Sequence, residues 1–253
     1  MNLYVLFMYF FIYSILGWIA EVIYCRIVGG KLTNRGFLNG PYCPIYGFGS
    51  LIIVLSLQYY INSPILVFFI GMILTTILEY ITSFFMEKIF NARWWDYSNM
   101  KFNINGRVCI LNSLEFAILG LLLTYIIHPQ IKQLIEKIPQ NYIPVISISL
   151  FVIITLDFAV TLYTIFNLKE RLNKLHEITE QIFENKKKDF QNIDIIQNLE
   201  KVKEDIISKT SLLNNRIIKA FPEIEFKKRN EQLLEIKSKL QNKLYNKKSH
   251  KKD

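Results

Sequence analysis

From Leu3 to Tyr24 the chain runs for twenty-two residues with Glu21 as its only charged side chain. A helix rises about 1.5 Å per residue, so this run reaches roughly 33 Å, enough for the hydrocarbon core of a bilayer. No basic segment precedes it and no small-residue cleavage site follows, so it reads as an anchor and not a removable leader. Four further apolar runs lie at about 46–61, 64–88, 108–127 and 143–167, and the first of these is short enough to be tilted or re-entrant. The expected fold is all-α, a polytopic membrane helix bundle of about five spans.

Charge divides the chain. Residues 1–168 hold nine Lys/Arg and seven Asp/Glu, whereas 169–253 hold 21 and 14, most of the overall excess of +9. This predicts a bundle over 1–168 with motif-bearing loops at 25–47 and 88–107, followed by a basic helical tail. Both loops are basic (Arg26, Lys31 and Arg35; Lys88, Arg93, Lys101 and Arg107), while Asn62-Ser63-Pro64 is uncharged and 128–142 carries only Lys132 and Lys137 as fixed cations. The positive-inside bias places the loops and tail in the cytoplasm and the N-terminus outside.

The stretch from Asn34 to Gly49 contains four glycines and two prolines in sixteen residues, which no continuous helix tolerates. It also carries Phe37, Leu38, Tyr42, Ile45, Tyr46 and Phe48. Irregular backbone with this much apolar surface fits a segment held against protein at the membrane, or a tight connector with a buried rim.

Glu21, Glu79, Glu115 and Asp157 interrupt apolar runs, where a charge costs roughly 2.5–3.5 kcal/mol even on the lenient insertion scale. Counted from the loop-bearing ends, each lies about 7–16 Å deep. Thr75, Thr76, Glu79, Thr82, Ser83 and Glu87 share one helix face, and Ser14, Gly17, Glu21 and Tyr24 form a similar stripe. Helix glue explains any single carboxylate. Four at one depth suggest a polar vestibule. Glu21 precedes Arg35, and Glu79 precedes Arg93, by the same fourteen residues, and Cys43 and Cys109 open the following runs, a faint parallel repeat.

In the second loop, Arg93-Trp94-Trp95-Asp96-Tyr97-Ser98 and Asn103 through Arg107 gather aromatics among hydrogen-bonding groups. An interfacial belt accounts for Trp94, Trp95 and Tyr97. A lid over the carboxylates is the functional alternative, with Asp96 and Arg107 pairing or holding a headgroup. The expected binding residues are therefore Glu21, Arg35, Cys43, Tyr46, Glu79, Arg93, Trp95, Asp96, Tyr97, Asn103, Arg107 and Glu115.

Gly17-Trp18 with Glu21, then Arg35-Gly36-Phe37-Leu38, Gly40-Pro41 and Cys43-Pro44-Ile45-Tyr46-Gly47, resembles the putative type IV ABC-transporter family of small bacterial membrane proteins. Trp95-Asp96-Tyr97-Ser98 followed by Asn103, Gly106 and Arg107 carries the same likeness, with Val108 where the family has isoleucine. The resemblance covers about residues 10–128, with an echo from Arg216 to Phe221-Pro222. It implies a permease-like role without naming a solute.

The chain has no GxxxxGK[ST] loop, so an ATPase would be a separate subunit. Cys25, Cys43 and Cys109, with the scattered His128, His176 and His250, suggest neither a disulfide framework nor a metal site. No cofactor is expected. An enzyme acting on lipid-linked substrate would need Cys43 or Cys109 beside a base, and no HExxH, GxSxG or DDxxD arrangement is present.

In the tail, Leu168, Leu172, Leu175, Ile178 and Ile182 form one apolar stripe, Ile195 to Ile217 a second, and Leu233, Ile236, Leu240 and Leu244 a third. This predicts a helical hairpin packed on itself, a coiled-coil dimer or a scaffold for a partner. Lys247-Lys248 and Lys251-Lys252 suit anionic lipid headgroups, and nothing resembles a nucleic-acid motif. Membrane lipids, a separate ATPase and a second copy of the chain are the partners open to it.

Overall fold

A computed structural model describes residues 2–30, 33–188, 193–208, 212–221, 224–226 and 229–238. It is all-α in its main elements: α1 (Leu3–Gly29), α2 (Pro44–Leu57), α3 (Pro64–Phe90), α4 (Ile110–Leu122), α5 (His128–Glu136), α6 (Ile143–Lys188), α7 (Ile193–Ser208) and α8 (Leu212–Ala220). A further helix covers 230–238. Among the described residues, four segments are long and apolar enough to cross a membrane: Leu3–Ile27, Pro64–Phe90, Ile110–Glu136 and Ile143–Glu184.

The apolar run expected over 108–127 continues past that end, as Ile110–Glu136. Pro129 has no N–H for the carbonyl four residues earlier, and its ring crowds that group. The chain widens into a π-helical turn over Leu123–Ile127 and continues as α5, so 128–142 is mostly helix.

The second apolar run is built differently. α2 has only 14 residues, about 21 Å. It starts beside the middle of α1, where the Cys43 N–H donates to the Ser14 carbonyl at 2.8 Å. Residues 33–43 therefore run back along α1 without helical hydrogen bonds before α2 begins. On the way, Trp18 Nε1 donates to Asn34 Oδ1 at 2.7 Å, and Leu38 packs with Phe10, Tyr42 and Ile154.

The close approach of α2 to α1 depends on two glycines. A Cβ on Gly17 would meet the Tyr46 ring, and one on Gly47 would meet Ser14 Oγ and the Phe10 carbonyl oxygen. Beyond them, Met8, Tyr9 and Tyr13 of α1 pack with Ile53, Leu57, Val67, Ile135 and Ile143 at the end of the bundle away from the loops.

At the opposite end, β1 (Ala92–Arg93) pairs antiparallel with β4 (Glu225–Phe226), Ala92 opposite Phe226. A hairpin joins β2 (Asn103–Ile104) to β3 (Val108–Cys109), with Asn103 opposite Cys109. Asn105 and Gly106 both take positive φ at its tip (53° and 64°), a conformation asparagine and glycine tolerate best.

α6 continues unbroken from apolar into charged sequence, and Leu168, Leu172 and Leu175 are fully buried there. They pack with Ile217, Ile224, Leu233 and Ile236 of the tail, and also with Phe90, Ala92 and Trp94. The tail thus folds onto the body as well as onto itself. Leu240, Leu244, Pro222, His250 and the basic run at 247–252 lie outside the described residues, as does Lys31 of the first loop.

Gly47→Ala is expected to lower stability by about 1–3 kcal/mol, because a helix backbone oxygen cannot move aside as a side chain would. Gly71→Ala, whose Cβ would sit 3.8 Å from Leu57 Cδ1, should leave the thermal unfolding midpoint in detergent nearly unchanged. Equal midpoint shifts in the two variants would count against the proposed close packing of α2 on α1.

Candidate functional site

Glu21 on α1 and Glu79 on α3 are each gripped by the helix that follows. Cys43 is the N-cap of α2, and three residues on, the Tyr46 hydroxyl donates to Glu21 Oε1 at 2.6 Å. Cys109 is the N-cap of α4, and three residues on, Asn112 Nδ2 donates to Glu79 Oε1 at 2.7 Å. Helix N-termini favour nearby negative charge, which suits both carboxylates.

The two halves then diverge. Arg35 Nε lies 3.8 Å from Glu21 Oε2, with Nη1 on Cys25 Sγ at 3.4 Å. Arg93, at the matching interval from Glu79, turns away to Asp96 Oδ2 at 2.9 Å and to the Asn105 carbonyl. Tyr97 occupies the approach to Glu79 instead, its hydroxyl 3.3 Å from Oε1. Burial, with Glu79 next in effect, pushes the Tyr97 phenol well above its usual range, so it remains a donor.

Between these groups lies a cavity of about 2310 Å³, reached by α1, α2, α3, α4, α6 and α8. Of the expected residues, Glu21, Arg35, Cys43, Tyr46, Glu79, Trp95, Tyr97 and Glu115 line it. Its remaining wall is largely aromatic and aliphatic, including Phe10, Phe37, Trp94, Phe116 and Phe158. Asn112, which the sequence reading missed, lines it too; its signal is its place three residues after Cys109, matching Tyr46 after Cys43.

Arg93, Asp96, Asn103 and Arg107 are not among the lining residues; they build the second loop itself. Asp96 and Arg107 do not pair with each other. Arg107 Nη2 meets Glu87 Oε2 at 2.7 Å, both side chains only 13% exposed, and the guanidinium lies over the Tyr80 and Phe84 rings. Arg93 and Arg107 are therefore not countercharges for the cavity acids, because the loop's own geometry uses them.

Asn103 Nδ2 donates to the Met100 and Ser98 carbonyls, and its Oδ1 accepts from the Gly106 N–H. Trp95 Nε1 donates to the Arg107 carbonyl at 3.0 Å. Burial acts to raise the Asp96 pKa, but the Ser98 hydroxyl and amide and the Arg93 guanidinium outweigh it and hold the carboxyl below its usual range.

Asp157 does not join the other carboxylates either. It receives the Asn39 N–H at 3.0 Å, Asn39 Nδ2 at 2.7 Å, the Gly40 N–H at 2.7 Å and the Tyr42 hydroxyl at 2.6 Å. It holds the irregular segment before α2 in place. From the tail, Arg216 on α8 donates to the Gly36, Phe37 and Leu38 carbonyls at 2.8–2.9 Å. Burial lowers the Arg216 pKa, while Asp157 pulls it back up. Phe221 follows on the same helix-end and meets the Trp94 ring edge-on at 4.9 Å between centroids.

Two predictions follow from these contacts. Arg216→Ala should free three carbonyls at a cost of about 2 kcal/mol and, like Asp157→Asn, speed hydrogen exchange at Asn39 and Gly40 without changing it at Tyr97. Exchange at Asn39 and Gly40 that stays at the native rate in both variants would contradict this anchoring. For Asp96, a depressed native pKa means its contribution is complete above the unfolded value near 3.9 and fades as pH falls through the native value. Ser98 amide protection, corrected for intrinsic exchange, should hold from pH 8 to 5 and fall below about pH 4; Asp96→Asn should lack it at neutral pH.

Searches among curated proteins and solved structures return no match. The sequence model of the family described as "Putative ABC-transporter type IV" matches residues 8–162, which include both gripped glutamates, the irregular segment, the second loop and Asp157. With a match over more than half its length and four membrane-length apolar helices, this chain is a membrane protein that belongs to the putative ABC-transporter type IV family.

Proposed function

We propose that the protein is a permease whose cavity takes up a small polar or amphiphilic solute from the cytoplasmic side. The observation that carries this reading is the meeting of Glu21, Glu79 and Glu115, from three different helices, in one cavity whose remaining wall is largely aromatic and aliphatic. Ionisable groups inside membrane helices are costly, and they typically mark solute or proton pathways. Polar groups in an otherwise apolar wall suit a solute with both characters. The basic loops favour the cytoplasmic placement of the cavity mouth.

Energy would come from a separate ATPase subunit or from proton exchange at the carboxylates. The tail then belongs to the transport unit, since Arg216 and Phe221 engage the loops that surround the cavity. This packing favours transport over a scaffold that merely hangs from an anchor. For a cysteine-dependent enzyme, Cys43 is buried and its N–H is tied to α1, and Cys109 is buried in β3.

Proteoliposomes carrying the full chain, challenged with cationic, zwitterionic and anionic rhodamine or fluorescein dyes, test the reading. At least one dye should equilibrate faster than in protein-free vesicles, and Glu79→Gln should slow it about tenfold or more. Dye movement identical to that in empty vesicles for the whole set, or undiminished in Glu79→Gln, would remove the transport role assigned to this cavity.

A further inference from the structure

We infer that the cavity selects a cationic amphiphile, with Glu79 as the group that receives its positive charge. The inference rests on the permease reading above and names the chemical class of its solute.

Glu79 is only 5% exposed, yet its Oε2 has no hydrogen-bond partner among the described residues. Its Oε1 accepts from Asn112 and Tyr97, which fix the carboxylate and leave Oε2 as a buried, unmatched acceptor. Glu79 lines the cavity, as do Tyr97 and Phe116. A buried carboxylate with one unmatched oxygen is costly to hold, and a cation brought by a solute offsets that cost.

The asymmetry between the two halves sharpens the assignment. Glu21 has its own guanidinium, Arg35, and the Tyr46 hydroxyl. The residue placed to do the same for Glu79 is Arg93, but it is committed to Asp96, and Arg107 is committed to Glu87. The second half thus keeps the acid without its internal counterion.

Of the basic groups along the wall, Arg35 pairs with Glu21, Arg26 donates to the Gly30 carbonyl and Lys237 to the Ile224 carbonyl, while Lys219 on α8 is exposed to solvent. The cation beside Glu21, Arg35, is already paired with a carboxylate, whereas a solute cation finds an unmatched carboxylate oxygen at Glu79. Aromatic faces in the wall add cation–π attraction and cover the apolar part of the solute.

Tetraphenylphosphonium and tetraphenylborate have the same shape and opposite charge, so the pair isolates the sign of the site. Equilibrium binding of each to the full-length protein in nanodiscs, corrected for protein-free discs, is the measurement. Saturable binding of the phosphonium, at least about tenfold tighter than the borate and weakened about tenfold or more by Glu79→Gln, is expected.

Glu79→Asp, which keeps the charge, should retain more affinity than Glu79→Gln, and thermal unfolding confirms that both variants fold. Equal or tighter binding of the borate, or phosphonium binding unaffected by Glu79→Gln, would overturn the cation assignment while leaving a binding cavity. Saturable binding of neither ion would overturn the assignment and count against the cavity as well.

Discussion

Irregular backbone beside a membrane helix survives only if its peptide groups are satisfied by protein, since lipid offers no partners. Residues 33–43 meet that demand from opposite sides. Asp157, an anion on α6, accepts the N–H groups of Asn39 and Gly40, while Arg216, a cation on α8, donates to the carbonyls of Gly36, Phe37 and Leu38. Asn34 fills in between, accepting from the Gly36 N–H and donating to the Asn39 carbonyl. The position of α2, and with it the Tyr46 hydroxyl on Glu21, follows from that double anchorage.

This arrangement explains why two charges near the bundle have different uses. Asp157 and Glu79 sit at similar depth along their helices, but Asp157 meets five donors across its two oxygens, whereas Glu79 has donors on one oxygen only. The first is structural. The second has the unbalanced chemistry that a solute site requires. Polarity at a given depth does not by itself distinguish them; the count of donors around each oxygen does.

Much of the architecture was legible from residue pattern. The apolar runs, the glycine–proline break and the 3–4 spacing of Leu168, Leu172 and Leu175 all reflect local periodicity, and they appear in the structure as helices, a non-helical segment and a buried stripe. Glu21 and Glu79, whose helical stripes were readable, and Glu115, which was placed by depth alone, line one cavity, whereas Asp157, expected at the same depth, does not. The partners of Asp157, Arg93 and Arg107 were not legible. Arg107 meets Glu87 across twenty residues of folded loop, and Arg216 meets Leu38 across most of the chain, so neither pairing leaves a spacing to read. Thr75 and Thr76 of the polar stripe proved to bond carbonyls of their own helix, with Thr76 also reaching Ser113 on α4, which is packing rather than cavity chemistry.

α6 is a single helix of 46 residues, about 69 Å long, and it carries Asp157 in its apolar part and the tail's buried leucines beyond. A rod of that length has no joint between the two. The carboxylate that holds Asn39 and Gly40 and the leucine stripe that holds the tail are thus parts of one uninterrupted helix, so the seat of the non-helical segment and the seat of the tail share a single axis.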